Sequence, residues 1–597
     1  MNGNSTPDQT SGYSNVGNYG IQGLASVNNC PPGLYQAVQW KDKEGNFWIY
    51  GGSGSDSMGG IISPADLWKY NPLNNLWTWV KGPGISGNPQ QIFEIPGILG
   101  IPSPNNSPGT RVLGCSAWTD DAGDLWLFGG NGWDSLQEHG YFNDLWRYNI
   151  ASNEWTRMAG SSSTNSPGIY GNLYQSSDSA IPPIRQEVNT AWTDANNNLW
   201  LFGGQYNSSE SYSDLWKYNI SIGQWAWMGG SEQFSLPANY GILGVESPAN
   251  FPGGRCSYTH WIDSNYLYLS GGAQFGYPYL YNDVWRFNLN TNNWTWIGGD
   301  TGNVALGQYL HFCTTNYADE PRGRFEQRST QINGCKPALF MWGGALDAQG
   351  DSVLNDLWNF DLVTGKWEWL SGLDSISYPG NYGIKGVSSP DNMPAGAAGA
   401  CFWNDNDGNL WQWGGWSDAR VGGRELPVFL NAMWKYIPDS TCLAINAVSV
   451  SSNGDTLVGY GGISYQWFLN GDTIIGATSP VYIARSAGTY TVDIASLGGC
   501  KLNLYALTIT GIPIQLPDNH IKIFPNPSTT NWQIVVGPEW LGSEGEVYDA
   551  LGRLIFKVTI NNLQTTINLE SIASAVYELR ITQSGYTISK KLVKLQE

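Results

Sequence analysis

GDLWLFGG at 123–130, followed by NDLWRYN at 143–149, is one copy of a pair of runs that recurs through the first 437 residues. The first run returns as GNFWIYGG (45–52), NNLWLFGG (197–204), NYLYLSGG (265–272), PALFMWGG (337–344) and GNLWQWGG (408–415). Its companion returns as ADLWKYN (65–71), SDLWKYN (213–219), NDVWRFN (282–288), NDLWNFD (355–361) and NAMWKYI (431–437). Successive Gly-Gly pairs are separated by 78, 74, 68, 72 and 71 residues. A near-constant period means one supersecondary unit repeated six times.

Length and composition set the frame. A chain of 597 residues exceeds what one core supports, so several domains are expected. Its 29 basic against 49 acidic residues give a net charge of −20, which disfavours nucleic acid and anionic membranes as partners. Abundant Trp, Tyr and Gly with only 13% charged residues point to aromatic-rich β structure with many turns. No apolar run reaches the roughly 18 residues that would span a bilayer. MNGNSTPDQTSGYSN shows neither a charged n-region nor an apolar h-region, so no signal peptide is visible.

Each repeat carries four strand candidates, in the second unit VLGCSAWTD (112–120), DLWLFGG (124–130), DLWRYN (144–149) and EWTRM (154–158). All are short, aromatic or β-branched, and bounded by Gly, Asn, Asp or Pro. The tight connections Asp42–Asn46, Asp120–Asp124, Asp194–Asn198 and Asp405–Asn409 read as hairpin turns, because Asx side chains bond their own backbone. NDNDGN (404–409) has some acidic spacing of a calcium loop but lacks the distal Glu, and the turn reading is preferred.

With Gly-Gly closing strand two, Trp146 and Tyr148 in strand three and Trp155 in strand four, the units resemble kelch repeats. That resemblance implies an all-β fold over 1–437, a six-bladed kelch-like β-propeller, and says little about function. The units exceed the usual repeat because the stretch before strand one is long and has its own motif, NYGIQG (18–23), NYGILG (239–244) and NYGIKG (381–386). WTWV (77–80), WTRM (155–158), WAWM (225–228), WTWI (294–297) and WEWL (367–370) mark strand four in units one to five. Unit six runs from Trp434 into Pro438 without one. Met1-Asn2-Gly3 aligns with Met228-Gly229-Gly230, so residues upstream of Met1 are expected to hold the last Trp-x-Trp strand and an export signal.

Strand parity places the 1–2 and 3–4 connections on one face and the 2–3 and 4–1 connections on the other. Every long loop belongs to the second set, together with the inter-unit segments, and function resides on such loops. Their aromatic residues Trp133, Tyr141, Tyr206, Phe275, Tyr277, Tyr279 and Trp416 suit stacking against a sugar or contact with a surface protein, and equally suit packing among the loops. Arg111, Arg185, Arg255 and Arg324 recur near the start of strand one. They form either an anion-binding collar, broken in units one and six, or a structural set bonding loop carbonyls. The Asp before each strand three, Asp66, Asp144, Asp214, Asp283 and Asp356, reads as a turn cap.

No catalytic constellation is evident. Four His, at 139, 260, 311 and 520, lack metal-ligand spacing, and no nucleophile elbow, P-loop or H-E-x-x-H occurs. No metal or cofactor is implied. A copper-radical oxidase of the galactose-oxidase kind needs a His, Tyr and Cys set that is missing. A kelch-type sugar mutarotase, needing few acid and Arg groups, is the enzymatic alternative to a glycan binder or protein-adhesion scaffold. Cys115, Cys256 and Cys401 are read as equivalent strand-one positions holding buried free thiols, and Cys313 with Cys335 as a candidate disulfide.

After Pro438 the pattern changes. YQWFLNG and GTYTVDI, in residues 438–511, resemble an immunoglobulin-like β-sandwich with Trp467 in the core and Tyr490 at the tyrosine corner. Cys442 and Cys500 bracket it and suit a disulfide, and a spacer role is expected. In residues 518–597, Phe524-Pro525-Asn526-Pro527-Ser528, the hairpin from Tyr548-Asp549 to Gly552-Arg553, and Tyr577-Glu578-Leu579-Arg580 with Lys590-Lys591 resemble a type IX secretion C-terminal sorting domain, type A. Ala575 replaces the usual Gly. The resemblance implies a small β-sandwich read by the type IX export machinery, and a protein secreted or attached to the outer cell surface.

Overall fold

A computed structural model describes residues 17–596 apart from 57–59, 85–91, 189–191, 264, 275–278, 303–305, 313–318, 333–337, 348–351, 363, 418–427, 439–448, 454, 461–463, 496–500, 510–519, 569–570 and 584–585. The described residues are all-β apart from short 3-10 turns, and no helix among them is long and apolar enough to cross a membrane. The chain divides into two units, Met1–Ile445 and Asn446–Glu597.

In the first unit each repeat forms one antiparallel sheet. In repeat two its strands are Ser116–Thr119, Leu125–Phe128, Leu145–Asn149 and Glu154–Ala159, hydrogen-bonded in chain order. Repeats one to five each supply these four strands. Among the described residues the sheet of repeat six has three, Cys401–Asn404, Leu410–Trp413 and Met433–Tyr436. Strand two is buried on both sides in every repeat, as at Phe47–Tyr50 and Leu125–Phe128. The reason is that sheets stack face to face, each core lying between neighbours. Trp40 and Tyr50 of repeat one pack with Leu127, Tyr148 and Trp155 of repeat two. Trp403 and Trp413 of repeat six pack with Phe47 and Trp77 of repeat one.

Hydrogen bonds mark the joints. The second Gly N–H of each Gly-Gly donates to a carbonyl at the start of the next repeat's first strand: Gly52 to Arg111, Gly130 to Arg185, Gly204 to Arg255, Gly272 to Arg324, Gly344 to Ala397 and Gly415 to Leu34. The sixth bond thus returns to the first repeat. Both glycines are in the left-handed region, as at Gly129 (φ 71°) and Gly130 (φ 90°). A Cβ on Gly130 would lie 2.3 Å from the Cys115 sulfur, which explains why no side chain occupies the second position. Strand-one indoles add a second stitch, Trp40 to the Trp126 carbonyl, Trp118 to Trp200 and Trp192 to Trp261.

The repeated Arg and Asp belong to one device. Arg185 donates to both Asp214 oxygens at 2.8 Å and to the Gly203 carbonyl at 2.7 Å. Arg255 does the same with Asp283 and Gly271, and Arg324 with Asp356 and Gly343. Arg111 reaches Asp144 through one bond of 2.6 Å. Each Asp also accepts an indole N–H from the strand-three Trp, such as Trp216 at 2.8 Å. Asp214, Asp283 and Asp356 accept a third donor, the hydroxyl of Tyr170, Tyr240 and Tyr309. The Asp is therefore a hub, not a turn cap. Repeat one keeps Asp66, bonded by Tyr19, but has Leu34 where the Arg would be. Repeat six has Ala397 and Ala432, so both partners are gone together.

The long inter-unit segments do not simply enlarge the loop face. Each folds back on itself, as in Asn18↔Cys30 and Asn239↔Phe251, and several lie against the outer strand of the repeat they precede. Ser26 meets Trp77, Ser103 meets Trp155, Ser247 meets Trp294, and Ser176–Ser177 forms a fifth strand beside Gln224–Gly229. The 1–2 turns follow the Asx expectation, Asp405 accepting from the Asp407 and Asn409 amides and the Trp411 indole. Cys115, Cys256 and Cys401 are free and buried, but they occupy three positions rather than one. Cys401 faces Trp413, Ser116 holds the corresponding place opposite Phe128 with Cys115 one residue before it, and Cys256 bridges Ala273. Cys313, Cys335, Cys442 and Cys500 lie outside the described residues.

In the second unit Trp467 and Tyr490 share a core with Leu457 and Val492, and the Tyr490 hydroxyl donates to the Ser486 carbonyl at 2.8 Å. A further pair of sheets, Lys522–Phe524, Asn531–Val535 and Gln564–Asn568 with Ser543–Tyr548, Leu554–Ile560, Val576–Gln583 and Tyr586–Val593, encloses Trp532, Trp540 and Leu579.

Replacing one member of an enclosed ion pair strands a charge, whereas replacing both does not. Asp214→Ala and Arg185→Leu are each expected to destabilise the first unit by about 3–5 kcal/mol. The double variant, which imitates the paired loss in repeat six, should cost clearly less than their sum. Urea unfolding of the four proteins measures this, and additive losses would refute the coupling.

Candidate functional site

Three polar or aromatic arrangements lie outside the sheets' apolar cores, two of them expected from the sequence. The first is the supposed Arg collar. All four guanidinia are enclosed with their Asp partners, side chains 0–1% exposed. Aromatic rings cover three of them, Phe142 over Arg111, Tyr212 over Arg185 and Tyr281 over Arg255. No face remains for a ligand, and the collar reading is corrected accordingly.

The second arrangement was not legible in the sequence. One residue in the lead-in to strand one of each repeat is left-handed: Gln36, Leu113, Glu187, Ser257, Glu326 and Gly399. Their amides form a chain of bonds, Gln36 to Gly399, Gly399 to Glu326, Glu326 to Ser257, Ser257 to Glu187 and Glu187 to Leu113, at 2.7–3.1 Å. The side chains of repeats one, three, four and five consequently meet. Gln36 Nε2 donates to Glu187 Oε1 and Oε2 at 2.9 and 2.7 Å and to Glu326 Oε1 at 3.0 Å. Ser257 Oγ donates to Glu187, and the Tyr35 hydroxyl to Glu326. Burial pushes the Glu326 carboxyl up to about 8, with Glu187 beside it adding to the rise and Arg328 opposing it. Burial also raises Glu187. A second buried carboxyl beside Glu326 favours its protonated form, because like charges repel. The only sequence signal was acidic residues at two of six equivalent positions, which needs the αL alignment to be seen.

The third arrangement is the 2–3 loop face. Each 2–3 connection extends as a small hairpin, for example Asn131–Trp133 with His139–Tyr141. Trp133 is half-buried, braced by Phe93 and by His139 at 4.9 Å between centroids. It lines a cleft of about 360 Å³ with Ile61, Ser63, Thr110 and His139, between the hairpins of repeats one and two. Tyr206 instead stacks on Phe234 at 4.8 Å, a contact within the loops. Tyr279 lies beside Tyr281 and Trp416 beside Tyr35, while Tyr141 receives the Asn165 side chain on its backbone. Phe275 and Tyr277 lie outside the described residues. Among the described residues, Trp133 and Tyr206 thus sit in separate surroundings, one lining the cleft and the other stacked within the loops.

In the C-terminal sheets the Phe-Pro-Asn-Pro-Ser run is tied to the last strand. Asn526 donates to the Lys591 carbonyl at 2.7 Å and accepts from the Val593 amide at 2.8 Å, and the Phe524–Pro525 and Asn526–Pro527 peptide bonds are cis. Asp549 accepts from the Leu551 and Arg553 amides, with Gly552 at φ 76° closing the turn. Residues 522–595 match the family model of the secretion system C-terminal sorting domain. This match marks the chain for export through the type IX system, to the cell surface or beyond.

Two outcomes follow. A carboxyl raised by folding contributes stability that is complete below its unfolded pKa and lost as pH rises through its folded value. Unfolding measured from pH 4 to pH 9 should thus show the first unit weakening through about pH 8 in a component that Glu326→Gln removes. An unchanged slope in the variant would refute the raised carboxyl at Glu326. Asn526→Ala removes two backbone contacts and should cost the C-terminal sheets about 1–3 kcal/mol and reduce export, read as extracellular yield.

Proposed function

We propose that residues 1–437 are a six-bladed kelch-like β-propeller, that residues 438–511 are an Ig-like spacer, and that the exported protein binds carbohydrate at the cleft around Trp133. The propeller reading is supported by six joints of identical hydrogen bonding, the last returning to Leu34, and by innermost strands that adjoin in cyclic order. The binding reading is carried by one observation. A half-buried indole forms a wall of a cleft also lined by Ser63, Asn131, the His139 imidazole and the aliphatic side chains of Ile61 and Val112, the Thr110 hydroxyl there being engaged by the Ser63 carbonyl and the Ile92 amide. A flat apolar ring flanked by uncharged donors and acceptors suits a pyranose, which offers both C–H and O–H faces.

Catalysis has less support. The clustered acid groups Glu187 and Glu326 are enclosed and bonded to protein partners. A glycan array probed with the full chain should give a defined set of hits. Trp133→Ala should weaken them about tenfold or more, whereas Tyr206→Ala should leave them unchanged. An array without hits, or hits indifferent to Trp133, would overturn the reading.

A further inference from the structure

Among the described residues the sheet of repeat six ends at Met433–Tyr436, and beside that edge runs a cleft of about 570 Å³. Its walls include Trp342, Tyr382, Gly386, Asn392, Trp434 and Tyr436. The same place in the other repeats is filled by strand four, so its requirements can be read from filled copies. We propose that this cleft is an acceptor for an extended peptide strand bearing Trp-x-Trp.

Consider what the two tryptophans touch in repeat one. The first, Trp77, pairs with Tyr70 of strand three, their rings 5.0 Å apart, and packs on Trp413, the last residue before the preceding repeat's Gly-Gly. The second, Trp79, pairs with Trp68 and meets Tyr19 edge-on at 5.1 Å. Repeat six offers Tyr436 and Trp434 at the pairing positions, Trp342 before the preceding Gly-Gly, and Tyr382 already against Trp434 at 5.1 Å. Every ring that the two indoles need is therefore in place.

The main chain is prepared too. The carbonyl of the first Trp accepts from an Asn side chain, Asn29 in repeat one, Asn106 in repeat two and Asn250 in repeat four. Each of those amides also holds a carbonyl five residues upstream, Leu24, Ile101 and Val245. Asn392 makes that same upstream bond, to Val387 at 2.9 Å, which aims its amide as in the filled copies. The carbonyl two residues on, at the second Trp position, accepts from Gly23, Gly100 or Gly244, and Gly386 holds that place in NYGIKG. An occupant would be bonded along both edges, by Met433–Tyr436 and by 386–389. A two-edged slot selects an extended backbone, and the two ring sites set the alternate Trp spacing.

The test titrates full-length protein into a fluorescently labelled peptide of sequence NLWTWVKG, copied from residues 75–82. Anisotropy should rise saturably. The peptide with both Trp changed to Ala, and the Tyr382→Ala protein, should each bind about tenfold or more weaker. Circular dichroism establishes that Tyr382→Ala is folded, and Trp434→Ala gives a second variant on the opposite wall. Absence of saturable binding, equal binding of the Trp-free peptide, or indifference to both protein variants would overturn the proposal. Concentration-dependent dimerisation of the unliganded chain that Tyr382→Ala abolishes would assign the cleft to a second copy and overturn it equally.

Discussion

A guanidinium held inside the protein must have its carboxylate, and that requirement organises repeats two to five. The Arg at the lead-in to strand one and the Asp before strand three are about 30 residues apart in sequence, 29 in the case of Arg185 and Asp214. Their pairing fixes how the first strand's approach sits against the Gly-Gly elbow and strand three. The Trp indole and Tyr hydroxyl that share the Asp extend the same constraint to strand three and to the inter-unit segment. Enclosed ion pairs add little net stability over apolar packing, but they punish any arrangement that separates them. A six-times-repeated aromatic sequence has many near-equivalent registers, and such a penalty discriminates among them.

The two repeats that lack the pair show what else holds. Repeat one keeps its Asp without the Arg, and burial pushes Asp66 up to about 6 although Tyr19 and the Gly84 amide donate to it. Repeat six loses both members, with the buried Ala397 where repeats two to five place the Arg. These repeats are adjacent, joined by the Gly415 to Leu34 bond and by the Phe47–Trp403 stack at 4.9 Å. The same joint carries Gln39, whose amide bonds both the carbonyl and the N–H of Phe402. Apolar and amide stitching there substitutes for the ionic hub used elsewhere.

The inner chain of left-handed residues places four polar side chains together in a region where the sheets leave little room. Glu187 and Glu326 come from repeats separated by one other, and Gln36 from a third. Such a cluster ties non-neighbouring repeats through side chains, whereas all the other stitches link neighbours. Because burial and the neighbouring Glu187 raise the Glu326 carboxyl to about 8, the cluster's contribution to cohesion is expected to vary with the pH outside the cell, where the sorting domain directs the chain.

The repeat, its four strand candidates, the Asx turns and the sorting motif were legible in the amino-acid sequence, because each rests on chemistry local to a few residues. Gly-Gly, Asp-x-x-x-Asn and Phe-Pro-Asn-Pro impose backbone conformations without help from distant parts of the chain. The sequence likewise marked Arg111, Arg185, Arg255 and Arg324, yet not their partners, and it read the matching Asp as a local cap. The surroundings of the loop aromatics were also undetermined: Tyr206 and Trp133 look alike in sequence, and only tertiary structure stacks Phe234, from another segment, on Tyr206. The meeting of Glu187, Glu326 and Gln36, and the ready-made cleft beside Met433–Tyr436, were decided by tertiary structure alone. Both depend on residues far apart in the chain occupying equivalent positions in different repeats, and that equivalence becomes spatial only once the sheets are packed against one another.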